Sequence, residues 1–172
     1  MPPEPTFSIV TCTWNSAATL GDTLASVASQ RGPGIEHIFV DGGSTDGTLD
    51  MIDAYRGNKR VLRNIRAGIS RAMNHGIAHA TGELIAHLHS DDYYYSADVL
   101  AEVAGCFAST NADWLFGRIR VLKDGVLLPP QLTHPFSYRA LAAGKAFIPH
   151  PAVFVRRSAF ARVGMFDERL RY

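Results

Sequence analysis

The sequence predicts an α/β fold: a Rossmann-like, mostly parallel sheet with helices on both faces, an αβα sandwich. Three observations predict it. Short β-prone runs alternate with stretches of helical apolar spacing in the order β-α-β-α-β-α-β-α-β. Polar loops rich in Asp, Gly and Ser follow three of the strands directly. The 172 residues are 47% hydrophobic and 19% charged, enough for one sizeable core.

The elements follow in order. Phe7 to Thr13 is an unbroken β-prone run and reads as a buried strand. Ala17 to Gln30 spaces Leu20, Leu24, Val27 and Ala28 as a helix, capped by Asn15-Ser16 and ended by Arg31-Gly-Pro-Gly34. Ile35 to Val40 is a second strand running into Asp41-Gly-Gly-Ser-Thr-Asp-Gly47, where Ser44 or Asp46 can cap a short helix from Thr48 to about Tyr55. Arg60 to Leu62 is a third strand. Gly68 to Ala80 is a helix with Ile69, Met73 and Ile77 on one face, closed by Thr81-Gly82. Glu83 to Leu88 is a fourth strand ending at His89-Ser-Asp-Asp92. Ala97 to Ser109 is helical, and Trp114 to Leu122 is a strand. Lys123-Asp-Gly125 is a hairpin turn into Val126 to Leu128. Pro129 to Lys145 is irregular, and Ile148 to Val155 is a strand carrying His150.

Composition excludes several classes. A net charge of +1, from 17 Lys+Arg against 16 Asp+Glu, does not suggest a nucleic-acid binder. The charge is too low and the hydrophobic content too high for disorder. Most cations are Arg, Lys occurring only at 59, 123 and 145; this suits phosphate binding and equally reflects codon bias. Cys12 and Cys106 form neither a disulfide framework nor a zinc motif. Met1 to Pro5 has no signal-peptide features, and no apolar run approaches the ~18 residues of a membrane span. A cytoplasmic protein is expected, with peripheral contact at the inner face of a membrane left open.

Four constellations could carry chemistry. In an open parallel sheet ligands bind beyond the carboxyl ends of the strands, which gathers Trp14-Asn15, Asp41 to Thr48 and His89 to Asp92 at one edge. Asp91 and Asp92 offer hard oxygen ligands for Mg²⁺ or Mn²⁺, whose remaining shell substrate phosphates usually fill; a turn before the next helix uses the same pair. Asp41 is an acceptor-only group suited to a base N–H, in a glycine loop that lacks the Lys of a P-loop. The helix start at Gly68, with Arg66 and Arg71, favours phosphate, although each Arg also fits a solvated face. His150 alone decides little, a lone His being more often structural.

Taken in order, Phe7-Ser-Ile-Val-Thr-Cys-Thr-Trp-Asn15, Val40-Asp-Gly-Gly-Ser-Thr-Asp-Gly-Thr48, Gly68 to Gly76, Thr81-Gly-Glu83, Leu88-His-Ser-Asp-Asp92 and His150-Pro-Ala-Val-Phe154 closely resemble the glycosyltransferase family 2 catalytic domain, of GT-A fold, from Phe7 to Tyr172. The Asp-Gly-Gly-Ser version resembles the branch that builds bacterial surface polysaccharide and glycolipid. The resemblance implies a single domain over 1–172: a flexible leader (1–6), a nucleotide-sugar-binding half (7–109) and the start of an acceptor-side half (110–172). It implies that Thr11, Thr13 and Trp14 line the base pocket, that Asp41 bonds the base or ribose, and that Asp91 and Asp92 contact the ribose and hold Mn²⁺ or Mg²⁺. Asn74 would lie near the donor sugar, with Arg71 as a substitute cation, and His150 near the acceptor or the diphosphate. The implied reaction is inverting transfer of a sugar from a nucleotide diphosphate sugar to a hydroxyl of a saccharide or lipid-linked acceptor.

The sequence departs from the pattern at three positions. His89 stands at the first Asp of the D-x-D motif, Gly42 at the second Asp of Asp-Asp-Gly-Ser, and Met73 where Arg is common. The catalytic base is expected after Gly164-Met-Phe-Asp-Glu168, beyond Tyr172; Asp167 and Glu168 are weak candidates that read first as turn residues. The alternative is a non-catalytic nucleotide-sugar-binding module that lacks the base. A nucleotidyltransferase is disfavoured, because no Lys-bearing glycine loop follows the first strand.

Overall fold

Seven consecutive buried residues make Phe7–Thr13 the central strand, β1, of the computed structural model, which describes residues 6–130 and 136–169. The other elements are α1 (Leu20–Ala28), β2 (Ile35–Asp41), α2 (Thr48–Ala54), β3 (Lys59–Leu62), α3 (Ile69–His79), β4 (Leu84–His87), α4 (Val99–Ser109), β5 (Trp114–Phe116), β6 (Leu122–Lys123), β7 (Val126–Leu127), α5 (Tyr138–Ala142), β8 (Val153–Arg156) and α6 (Arg157–Val163). Six strands form one sheet in the order β3-β2-β1-β4-β8-β5. β1 pairs in parallel with β2 and β4, and β2 with β3.

Side chains of β1 alternate between two cores. Phe7 and Ile9 pack with Val27 of α1 and Leu100 and Phe107 of α4. Val10 and Cys12 pack on the opposite face with Ala72, Met73 and Ile77 of α3. A third cluster, Leu20, Phe39 and Ile52, seats α1 and α2 beside β2. Gly76 lets α3 cross β1 closely, since a Cβ there would lie 2.3 Å from Val10 Cγ1. The chain runs outward from β1 to β2 and β3, then returns through α3 to β4 on the other side of β1. The carboxyl ends of β1 and β4 therefore flank the topological switch point, where crevices form.

The expected α/β sheet is present, with four differences. The strand expected over 114–122 is only Trp114–Phe116, and it is not the parallel neighbour of β4: β8 lies between them, antiparallel to both. His150 is not on a strand. Pro149 and Pro151 remove two backbone donors, so His150–Ala152 forms a 3-10 turn and β8 starts at Val153. The first helix starts at Leu20 rather than Ala17, because Asn15 and Ser16 bond neighbouring loops instead of capping it. A short helix, α5, interrupts the irregular stretch, of which 131–135 lie outside the described residues, as do 1–5 of the leader. The Asp124-Gly125 turn forms as expected, both residues having positive φ.

Candidate active site

Three loops leave the carboxyl ends of β1, β2 and β4 and are stitched together. The Gly42 N–H donates to the Thr13 carbonyl (2.9 Å). The Asn15 N–H donates to Ser44 Oγ and the Thr45 N–H to Asn15 Oδ1, both at 2.9 Å. The Ser16 N–H donates to Thr48 Oγ1 (2.8 Å) and the Ala17 N–H to Asp46 Oδ2 (3.0 Å). Ser90 Oγ donates to Ser16 Oγ (2.9 Å), and Thr23 Oγ1 to the Asp92 carbonyl (2.8 Å). Trp14 sits at this junction, 70% exposed, its Cβ against Gly42. An exposed indole held on a fixed backbone offers a stacking face.

Asp41 is fully buried, unlike the free acceptor that the sequence suggested. Its Oδ1 accepts from the Gly43 and Ser44 N–H groups, and its Oδ2 from Thr13 Oγ1 and Ser44 Oγ. Burial pushes its pKa up, but the Ser44, Gly43 and Thr13 bonds together outweigh burial and hold it below the usual carboxylate range. Asp41 thus braces the glycine loop. Thr13 shares that task, with only 4% exposure. Thr11 is not brought to the edge. It is wholly buried, donating to the Leu88 carbonyl (2.7 Å) and lying 2.8 Å from His37 Nε2, and so ties β1 to its two neighbours.

Asp91 is exposed and Asp92 half-buried, and neither carboxylate is bonded among the described residues. Burial, then the charge of Asp91, pushes the Asp92 pKa up to about 6, and a cation placed beside it would favour its ionised form. Among the described residues no group of three His, Cys, Asp or Glu side chains is arranged to hold a metal ion by itself. The protein thus offers two hard oxygen donors with the rest of a coordination shell left to phosphate and water, which fits Mg²⁺ or Mn²⁺.

Arg66 flanks the glycine loop. Gly43 faces the Arg66 guanidinium, a Cβ there lying 3.1 Å from Nη2 and 3.4 Å from Asn64 Oδ1. The Ile65 N–H anchors this segment to the Asp41 carbonyl (2.9 Å). Asn64 escaped the sequence reading; its one local signal is a residue type that tolerates positive φ, here 61°. Arg71 is exposed on α3, whereas Met73 is buried in the core.

Three histidines meet behind Asp91. The rings of His89 and His150 stack at 5.1 Å, and His87 lies 5.4 Å from His150. Burial, then the neighbouring histidines, lowers His87 to about 3; burial and then His89 lower His150 to about 4. Burial also lowers His89, against the opposing pull of Asp91. All three rings are therefore neutral near pH 7.

Asn74 does not reach toward a ligand. Its Nδ2 donates to the Phe166 carbonyl (2.9 Å) and Glu168 Oε1 (3.0 Å), and its Oδ1 accepts from the Phe166 N–H (2.9 Å). Asp167 binds Arg169. Asp167 is thereby engaged by its neighbour Arg169, and Glu168 by Asn74 across the fold.

A family model described as Glycosyl transferase family 2 matches residues 8–164. A glycosyltransferase of Mycobacterium tuberculosis, named as uncharacterized, is 36% identical over 97% of the chain and 64% of its own length. A PGL/p-HBAD biosynthesis glycosyltransferase of Mycobacterium bovis is 35% identical, over 97% and 65%. The chain thus spans just under two thirds of these relatives. Residues 1–349 of S. aureus TarS, solved in complex with UDP, superpose with a TM-score of 0.81 at 24% identity, over 96% of this chain and 51% of that one. A mannosyltransferase from Pyrobaculum calidifontis, solved with GDP-Man and Mn²⁺, gives 0.75 at 21%, over 98% and 49%.

Proposed function

The chain belongs to glycosyl transferase family 2 and has its GT-A fold, and from that premise we propose that it binds a nucleotide diphosphate sugar and takes part in inverting transfer of the sugar to an acceptor hydroxyl. One observation carries the reading: the two carboxylates Asp91 and Asp92 stand at the switch point, unbonded among the described residues, in a loop that Ser90 and Thr23 tie to the one bearing the exposed Trp14. That arrangement suits a ligand with an aromatic base at one end and a metal-bound diphosphate at the other. The relatives' names and the nucleotides in the solved neighbours (UDP, UDP-GlcNAc and GDP-Man) support a donor of this class. A non-catalytic module is not favoured, since these relatives are named as transferases.

In this reading Trp14 stacks on the base, while Asp41 and Thr13 act indirectly by fixing the glycine loop beneath it. Arg66 and Arg71 face the negative charge of the donor. Asp91 and Asp92 hold Mn²⁺ or Mg²⁺, which when bound supplies charge to stabilise the departing diphosphate. Neutral His150 lines the acceptor side, where it excludes water. Asp167 and Glu168 are committed to Arg169 and Asn74, so the deprotonating group is assigned outside the described residues. The acceptor is a saccharide or lipid-linked sugar of a surface polysaccharide or glycolipid, met at the inner face of the membrane.

Titration calorimetry with UDP and with GDP, each with and without Mn²⁺, tests this. Metal-dependent binding of one nucleotide is expected, weakened at least ~10-fold in Asp91→Ala and Asp92→Ala, since each ligand lost removes a charge-assisted contact. No binding of either nucleotide by the folded protein would overturn the proposal.

A further inference from the structure

We propose that the β6–β7 hairpin inserts into the surface of an anionic lipid bilayer. This deepens the membrane placement proposed above without depending on the transfer chemistry.

The hairpin carries apolar side chains on both faces. Leu122 pairs with Leu127 and Lys123 with Val126, and the Leu128 N–H closes on the Val121 carbonyl (2.9 Å). Side chains alternate along a strand and paired residues share a face, so Leu122 and Leu127 lie on one face, and Val121 and Val126 on the other with Lys123 beside them. Leu122, Leu127, Val121 and Val126 are well exposed, at 51%, 41%, 37% and 62% respectively. The two strands form a sheet of their own, joined to no other strand among the described residues. Such a ribbon gains little in water. A protein groove would cover one face and leave the other wet, whereas a bilayer interface surrounds both.

Charge points to the same partner. Between Gly117 and Pro149 fall five Lys or Arg residues and a single acid, Asp124, in a chain that is otherwise nearly balanced. Arg118 and Lys123 sit within or just before the ribbon, where anionic headgroups would meet them. Exposed Tyr138 and Phe147 in the same segment are residues of the kind found at membrane interfaces. The hairpin also leaves the fold beside the site: the Gly117 N–H donates to the Ala152 carbonyl (2.8 Å), in the turn that carries His150. A bilayer docked here would hold a lipid-linked acceptor close to the three histidines.

Cosedimentation with vesicles tests the proposal. The protein is expected to partition at least tenfold better into vesicles of phosphatidylcholine with phosphatidylglycerol than into phosphatidylcholine alone. Leu122→Asp with Leu127→Asp should lower that partition at least tenfold, with the melting temperature and nucleotide binding unchanged. Arg118→Gln with Lys123→Gln should abolish the preference for the anionic vesicles, and it decides the matter if the Asp variant folds poorly. The proposal is overturned if the protein stays in the supernatant with both vesicles, or if both variants sediment like the parent. It is equally overturned if light scattering shows a dimer that the Asp variant dissolves while vesicle binding is absent. Loss of nucleotide binding in the parent would instead strike the transfer reading and leave this one standing.

Discussion

Replacing Asn74 by Ala should loosen the segment from Gly164 to Arg169 from α3. The side chain makes three bonds, two to the backbone of Phe166 and one to the Glu168 carboxylate, at 2.9 to 3.0 Å. A neutral bond contributes about 0.5–1.5 kcal/mol net and one to a charged group somewhat more, but Glu168 is exposed and water can replace Asn74 there. The expected loss is about 2–3 kcal/mol, shared with the packing of Phe166 on His87 and Phe160, 5.4 and 6.5 Å between ring centres. Urea unfolding of the parent, Asn74→Ala and Asn74→Asp would measure it. Asn74→Asp keeps an acceptor for the Phe166 N–H but loses both donations and faces Glu168 with like charge, so it should fall at least as far at pH 7. Amide exchange at Phe166 should quicken in both. A loss below about 0.5 kcal/mol in Asn74→Ala, with exchange unchanged, would refute the anchoring role.

The remaining predictions concern the core and the loop edge. Trp14→Ala should weaken nucleotide binding by about 1–3 kcal/mol, the range for base stacking on an aromatic ring, and leave the urea midpoint almost unmoved because the ring is exposed. Gly76→Ala should destabilise by about 1–3 kcal/mol in the same unfolding assay, because its Cβ would meet Val10 in a packed interface. Stability should decline as pH falls below about 6.5. His37 and His87 are buried and both lowered to about 3, so the unfolded chain binds protons that the native state refuses, at up to about 1.4 kcal/mol per pH unit for each ring. Melting temperatures between pH 7.5 and 5 would show the slope, and a flat profile would contradict the burial of these rings.

The parallel half of the sheet was legible because β1, β2 and β4 are largely apolar runs separated by helical spacing, each pattern local to its own stretch of chain, whereas β3 (Lys59–Leu62) carries only the apolar Val61 and Leu62. The position of β8 was not, since nothing within Val153 to Arg156 says that it slips between β4 and β5. His150 was misplaced on a strand because the apolar run Ala152 to Val155 masked two prolines that deny the segment its donors. At the site, the place of Asp91, Asp92 and Trp14 at the loop edge was legible, because each directly follows or closely follows a strand end, and the structure leaves them exposed or half-buried there. Asp41, Thr13, Asn74 and Thr11 were read as binders; in the structure each side chain is bonded within the fold, Asp41 to its own loop and to Thr13, and Asn74 and Thr11 to residues far along the chain. Residue type cannot distinguish a group that holds a ligand from one that holds the loop that holds the ligand.

The bonds that join Asn15 to Ser44 and Thr45, and Ser16 to Thr48 and Ser90, bear on how this site can change over evolution. The two partners of each bond lie in different loops, and three of the bonds take a backbone N–H, of Asn15, Ser16 or Thr45, which remains whatever residue stands there. Replacing the side-chain partner, Ser44, Thr48 or Asn15, leaves that N–H unpaired in the facing loop, whereas Ser16 and Ser90 meet side chain to side chain and should be non-additive as a pair. On the reading proposed above, donor preference would then shift more readily through Trp14 and Arg66, whose side chains take no part in these bonds.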